Sequence, residues 1–266
     1  MDTPGEMLKQ YANEIRSHRK WLQSFDEGYV TKWEKLLKAD PEAAICEAAT
    51  RELLERHDVT VRPNEDLSVG GPDYLCTRGR KHFYLEVTCI SKDAATRVTK
   101  LPDKCPSGPE SYTYMTNKIL RKLSNKASQC AGMDGPTLVA LCTLHSQAGD
   151  LCFDDLAAEE LLIGITYITH DLDNETHEPV GNTYDITRLE GSAFIRPVKA
   201  SPNWIEHVRN PVSAILLCGF GSFPPSVMAC LHPSPNYPFD QTLLPQIKFC
   251  RLVEGYLTGP PEVEWI

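Results

Sequence analysis

The chain has 266 residues with a formal net charge of -9, 24% charged and 41% hydrophobic residues, enough length for a substantial core in one large domain or a domain with additions. Charged residues run through the first twenty positions, and the longest apolar run, 161–168, is broken by Gly164 and Thr166, which argues against a signal peptide and a membrane span. Ten cysteines scattered without a Cys-x-x-Cys pair exclude zinc-finger spacing and point to reduced thiols in a cytoplasmic protein.

In chain order, residues 4–24 and 29–39 carry apolar side chains at helical spacing (Leu8, Tyr11, Ile15 and Leu22; Trp33, Leu36 and Leu37) with Gly28 between them, which predicts a helical extension over residues 1–40. Asp40 and Pro41 read as N-cap and first residue of a helix running to about His57, with Ala44, Ile45, Ala48, Ala49, Leu53 and Leu54 on its buried face and Glu47 beside it. Residues 59–62 form a short strand. Gly70-Gly71-Pro72-Asp73-Tyr74-Leu75 and Phe83-Tyr84-Leu85-Glu86-Val87-Thr88 then read as two strands of a hairpin whose tip is Arg78-Gly79-Arg80-Lys81. A period of two sends Phe83, Leu85 and Val87 to one face and Glu86 with Thr88 to the face opposite the core.

Asp73 and Glu86 on adjacent strands make a hard-oxygen pair of the kind that Mg²⁺ or Mn²⁺ prefers, which implies metal-assisted phosphodiester hydrolysis. A lysine- and proline-rich loop over 91–110 lies beside this pair, followed by a helix over 112–130 with Met115, Ile119, Leu123 and Ala127 as its apolar stripe. Residues 136–144 are a continuous apolar run suited to a sheet centre.

Pro72-Asp73 followed by Glu86-Val87-Thr88 resembles the signature of the PD-(D/E)XK, restriction-endonuclease-like nuclease superfamily, and the order helix, three strands, helix, strand over 41–145 resembles its αβββαβ core, about two-fifths of the chain. The resemblance implies an α/β fold with a mixed central sheet flanked by helices, placed at 41–266 behind the N-terminal helical extension. It implies Asp73, Glu86 and the carbonyl of Val87 as ligands of Mg²⁺ or Mn²⁺, with Glu47 as the acidic contribution of the preceding helix. Thr88 stands where the family has lysine. Lys118, Lys122 and Lys126 form an i, i+4, i+8 ridge that Gln129 extends; Asn125-Lys126-Ala127-Ser128-Gln129 resembles members with a relocated lysine, so Lys126 is the expected replacement and Lys122 the second choice.

Beyond Leu144, residues 154–167 read as a helix running into a strand. Residues 169–191 read as a polar loop bearing His170, Asp171, Asp173 and His177, with a solvated loop favoured over a metal site. Residues 212–218 read as a buried strand, 223–238 as a proline-rich loop and 246–253 as a final strand, completing the same sheet. Charge is uneven: eleven Lys and Arg against four Asp and Glu over 76–130 give +7 around the carboxylates, between segments of -5 and -11. That excess suits phosphates. The expected activity is a divalent-metal-dependent nuclease acting on nucleic acid, DNA ahead of RNA, with no membrane partner and a homodimer left open. The competing expectation is a nuclease-fold module that binds nucleic acid or protein without cutting, which the missing motif lysine would explain.

Overall fold

The computed structural model describes residues 4–65, 71–103, 113–173, 176, 178–198, 201–256 and 261–266. Four helices open the chain: α1 (Pro4–Gln10), α2 (Ala12–Gln23), α3 (Glu27–Ala39) and α4 (Pro41–Arg56). Where the spacing predicts one helix over 4–24 there are two, joined at Tyr11, and Gly28 lies inside the first turn of α3. The carboxylate of Asp26 accepts from the Gly28 N–H at 2.6 Å and so starts that helix ahead of the glycine. Asp40 caps α4 as its sequence predicts, accepting from the Ala43 N–H at 3.1 Å.

The chain continues through β1 (Thr60–Pro63), β2 (Tyr74–Arg78), β3 (Lys81–Cys89), α5 (Lys92–Thr99), α6 (Thr116–Gln129), β4 (Thr137–Thr143), α7 (Ser146–Leu151) and α8 (Asp155–Ile163). It ends with β5 (Ile165–Leu172), β6 (Pro179–Arg188), β7 (Ile195–Val198), β8 (Ser201–His207), β9 (Ala214–Gly219), β10 (Ser226–Leu231), β11 (Lys248–Leu252) and β12 (Val263–Trp265). Eight strands form one mixed sheet in the order β1-β2-β3-β4-β9-β10-β11-β12. β1, β2 and β3 pair antiparallel, β3, β4 and β9 parallel. The fold is mixed α/β with helices on both faces of the sheet. Among the described residues no helix is long and apolar enough to cross a membrane.

One core lies between the sheet and the N-terminal helices, where Ile15, Leu22, Trp33, Ile45 and Leu54 meet Phe83, Leu85, Leu138 and Leu216. Residues of the first forty positions therefore pack directly on α4 and the sheet. The second core fills the opposite face, with Ile119 and Leu123 of α6 and Leu161 of α8 against Val139, Leu141, Ile215 and Leu217. Strand β4 is buried along its whole length because both faces are covered. The same covering corrects the expectation for Glu86 and Thr88: their face also belongs to the interior, and they are 2% and 7% exposed.

Several segments depart from the sequence reading. The expected loop over 91–110 begins with α5, capped by the Ser91 hydroxyl, and its residues 104–110 lie outside the described residues, as does Tyr112 at the start of the expected helix, which begins at Thr116. The polar loop over 169–191 is largely the β5–β6 hairpin; β-branched and aromatic residue types, such as Thr183, Tyr184 and Ile186, outweigh the polar composition. His177 lies outside the described residues. The proline-rich stretch 223–238 contains β10, since its prolines fall outside the six residues that pair with β9. Strand β11 is followed by β12, so it is not the last. The C-terminal half completes the main sheet with β9 to β12, while β5–β6 and β7–β8 form separate two-stranded sheets.

Candidate active site

The site lies just ahead of the first residue of β2, Tyr74. Its antiparallel register with β3 runs from Arg78↔Lys81 to Tyr74↔Leu85, and two residues earlier stands Pro72, which has no N–H to continue the ladder. The Asp73 carboxylate takes over: its Oδ2 accepts from the Val87 N–H at 2.7 Å, and the Asp73 carbonyl accepts from the Asn64 N–H at 2.9 Å. Asp73 is thereby fastened against β3 beside Glu86, whose side chain projects to the α6 face.

On α6 the stripe Ile119, Leu123, Ala127 packs into the second core, and the small Ala127 seats the helix so that Lys126 meets β3. Lys126 Nζ donates to Glu86 Oε1. Glu86 Oε2 is buried and has no hydrogen-bond partner among the described residues. Glu47 reaches the same place from α4. Burial raises its carboxyl well above the ordinary range, and the nearby Asp73, Glu65 and Glu86 charges push it further while Lys126 opposes. Asp73 is likewise pushed well up, by burial and then by Glu86, against the Val87 N–H and Lys126. Glu86 is raised by burial, which Lys126 partly offsets. For Lys126, burial alone would lower the ammonium's pKa, but Glu86, Asp73 and Glu47 together raise it, so the amine stays charged.

Glu86, Asp73 and Glu47 thus share the Lys126 ammonium, and Glu65, paired with Lys32, adds a fourth carboxylate beside them, so acidic groups outnumber basic ones at this locus. A cleft of about 380 Å³ opens over it, lined by Glu65, Gly71, Asp73, Glu86, Lys126 and Gln129. As they stand, no three His, Cys, Asp or Glu side chains among the described residues are grouped as a metal-binding set. The donors nonetheless suit a hard divalent cation: they are carboxylate oxygens, burial and then neighbouring charge raise the proton affinities of Asp73 and Glu86, and one buried oxygen is left over.

The structure brings together Asp73, Glu86, Lys126 and Glu47, with Gln129 exposed on the rim. Val87 contributes its N–H to Asp73 and buries its side chain in the first core. Thr88 lies further along β3, opposite Leu141, and lines neither this cleft nor its neighbour described below. Lys122, one turn before Lys126, also lines neither. Glu65 is the acidic residue that the sequence reading misses. It follows β1 without a motif of its own, and only the placing of β1 beside β2 brings it to Asp73.

The expected basic groove is reduced by internal pairing. Arg78 donates to the carbonyls of Thr242 and Leu243, Lys81 bonds Asp240, and Lys92 pairs with Asp103 at 2.8 Å. Arg80, Arg97, Lys100 and Arg121 are exposed, and Lys104 lies outside the described residues. Compared with protein-family models, with curated proteins and with solved structures, the chain matches none.

Proposed function

We propose that the chain is a divalent-metal-dependent nuclease of the restriction-endonuclease-like type, acting on DNA ahead of RNA. The observation that carries this reading is the pairing of a buried, half-satisfied Glu86 carboxylate with Lys126 directly beside Asp73. The element order α4, β1, β2, β3, α6, β4, with α5 inserted, supports the αβββαβ resemblance.

In this reading Asp73, Glu86 and the Val87 carbonyl would hold Mg²⁺ or Mn²⁺, which when bound would supply Lewis-acid polarisation of the phosphoryl group and lower the pKa of water. Hydrolysis joins a water oxygen to phosphorus and breaks one P–O ester bond, with a proton passing to the departing oxygen. Lys126, kept charged by its three carboxylate neighbours, orients the attacking water and offsets the negative charge that develops on the phosphoryl oxygens. Glu47, whose proton affinity burial and the neighbouring carboxylates raise, would join the site as the acidic contribution of α4 that the resemblance implies. The Gln129 amide gives the rim a neutral donor for the strand.

The internal pairing of Arg78, Lys81 and Lys92 favours a second reading, a module of the same type that binds nucleic acid or a protein without cutting. Purified protein incubated with plasmid, linear duplex, single-stranded DNA and RNA in Mg²⁺, Mn²⁺ or EDTA separates the two. The nuclease reading requires metal-dependent loss of one of these substrates that Asp73→Asn abolishes. No loss under any condition leaves the binding module.

A further inference from the structure

A second cleft, of about 420 Å³, leaves the acidic locus in the other direction, between α3 and the end of β1. Asp73 and Glu65 line both clefts, and Glu47 lines this one. The size lies within the range of about 300–1,000 Å³ usual for small-ligand sites.

Its inner wall is aromatic and fixed. Trp33 and Tyr74 are 4% and 3% exposed, and both pack on the His18 ring, at centroid distances of 4.8 and 6.5 Å. Arg51 Nε donates to His18 Nδ1 at 3.2 Å, and burial together with that guanidinium lowers the imidazole's pKa to about 3, so the wall carries no charge from His18. Tyr29, Leu36 and Pro63 extend the apolar lining outward. At the mouth α3 presents Lys32, which pairs with Glu65, and Lys35, which is exposed and has no ion-pair partner among the described residues.

These features constrain the occupant. Aromatic and aliphatic walls accept a flat, uncharged body. The inner end, bounded by Glu47, Glu65 and Asp73, repels an anion, whereas the mouth attracts one. An unstacked nucleobase has that distribution, neutral in its ring and anionic in its backbone. A base inside a duplex is stacked and paired, so it enters only from a single strand or by extrusion.

We propose that this cleft seats one unstacked nucleobase of the substrate strand, next to the phosphodiester held at Asp73 and Glu86, so that single-stranded or frayed DNA is the preferred substrate. The location of that phosphodiester rests on the nuclease reading; occupancy of the cleft is measurable without cleavage.

The test is fluorescence anisotropy in EDTA with a labelled oligothymidylate and a blunt duplex of the same length. Leu36→Trp fills the cleft, Tyr29→Ala removes a wall, and Lys35→Glu reverses the charge at the mouth; thermal melts check that each variant folds. Leu36→Trp and Tyr29→Ala should each weaken single-strand binding about tenfold, the worth of one stacked base, while duplex binding stays within about twofold. Lys35→Glu should weaken single-strand binding and reduce its salt dependence. If Leu36→Trp does not fold, Tyr29→Ala and Lys35→Glu decide. Folded variants that bind the single strand like wild type, equal losses on both substrates, or no single-strand binding by wild type overturn the assignment. If wild type cuts no nucleic acid while the single-strand-specific loss persists, the nuclease reading fails and the nucleobase cleft stands. If wild type cuts and the variants bind normally, the cleft assignment fails alone.

Discussion

Lys126 Nζ donates to one oxygen of Glu86 while the other oxygen, which is buried, has no partner among the described residues. The pair joins α6 to β3 through a carboxylate that is 2% exposed. An ion pair of this kind is costly to break from one side, because the remaining charge stays in the interior. It is also half-finished, and half-finished buried groups are where ligands gain most.

A double-mutant cycle on this pair should show strong coupling. Lys126→Met leaves Glu86 without its counter-charge and should cost about 3 kcal/mol, whereas Glu86→Gln, which removes the charge itself, should cost less. Adding Glu86→Gln to Lys126→Met should recover part of the loss, with an interaction energy of about 1–3 kcal/mol from denaturant melts. Simple additivity would show that the pair contributes nothing beyond its separate members.

Glu47 sets a pH dependence. Its pKa is raised on folding by burial and by Asp73, Glu65 and Glu86, so the folded state holds a proton that the unfolded chain releases. Stability from this group is therefore present below the ordinary carboxylate range and lost as pH rises through the raised value. Glu47→Gln lacks that loss. Its melting temperature should be close to wild type at about pH 4 and exceed it increasingly as pH rises above the ordinary carboxylate range, as wild type loses the advantage of its bound proton. A gap that stays constant with pH would show that Glu47 does not feel its neighbours.

Divalent metal should stabilise the folded protein by mass action, by about 2.7 kcal/mol at a hundredfold excess over Kd. Thermal melts with and without Mn²⁺ read this as a shift of several degrees in wild type. Asp73→Asn and Glu86→Gln should lose most of it. Lys126→Met should show a larger shift, since Glu86 has then lost its resident cation. An undiminished shift in Asp73→Asn would place the metal elsewhere.

Much of this arrangement is legible in sequence because its signals are local. Asp40 before Pro41 marks a helix start, and alternation along 83–88 separates Glu86 from Leu85. The spacing of Lys118, Lys122 and Lys126 marks a ridge, but the packing of Ala127 against the second core is what turns Lys126 toward Glu86. Burial of Glu86 is not legible, because periodicity assigns it a face without saying that α6 and α8 cover that face. Glu65 is invisible for a similar reason, since β1 delivers it by tertiary pairing alone. Short elements such as β10 and α5 are hidden by the prolines and lysines around them.

Single-turnover cleavage of a labelled oligonucleotide at saturating Mn²⁺ puts the central claim to its hardest test. Lys126→Met should cut at least about a hundredfold more slowly than wild type while Lys122→Met stays within about threefold, because Lys126 bonds Glu86 and Lys122 lines neither cleft. Cleavage by Lys126→Met at the wild-type rate, or no cleavage by wild type itself, would contradict it.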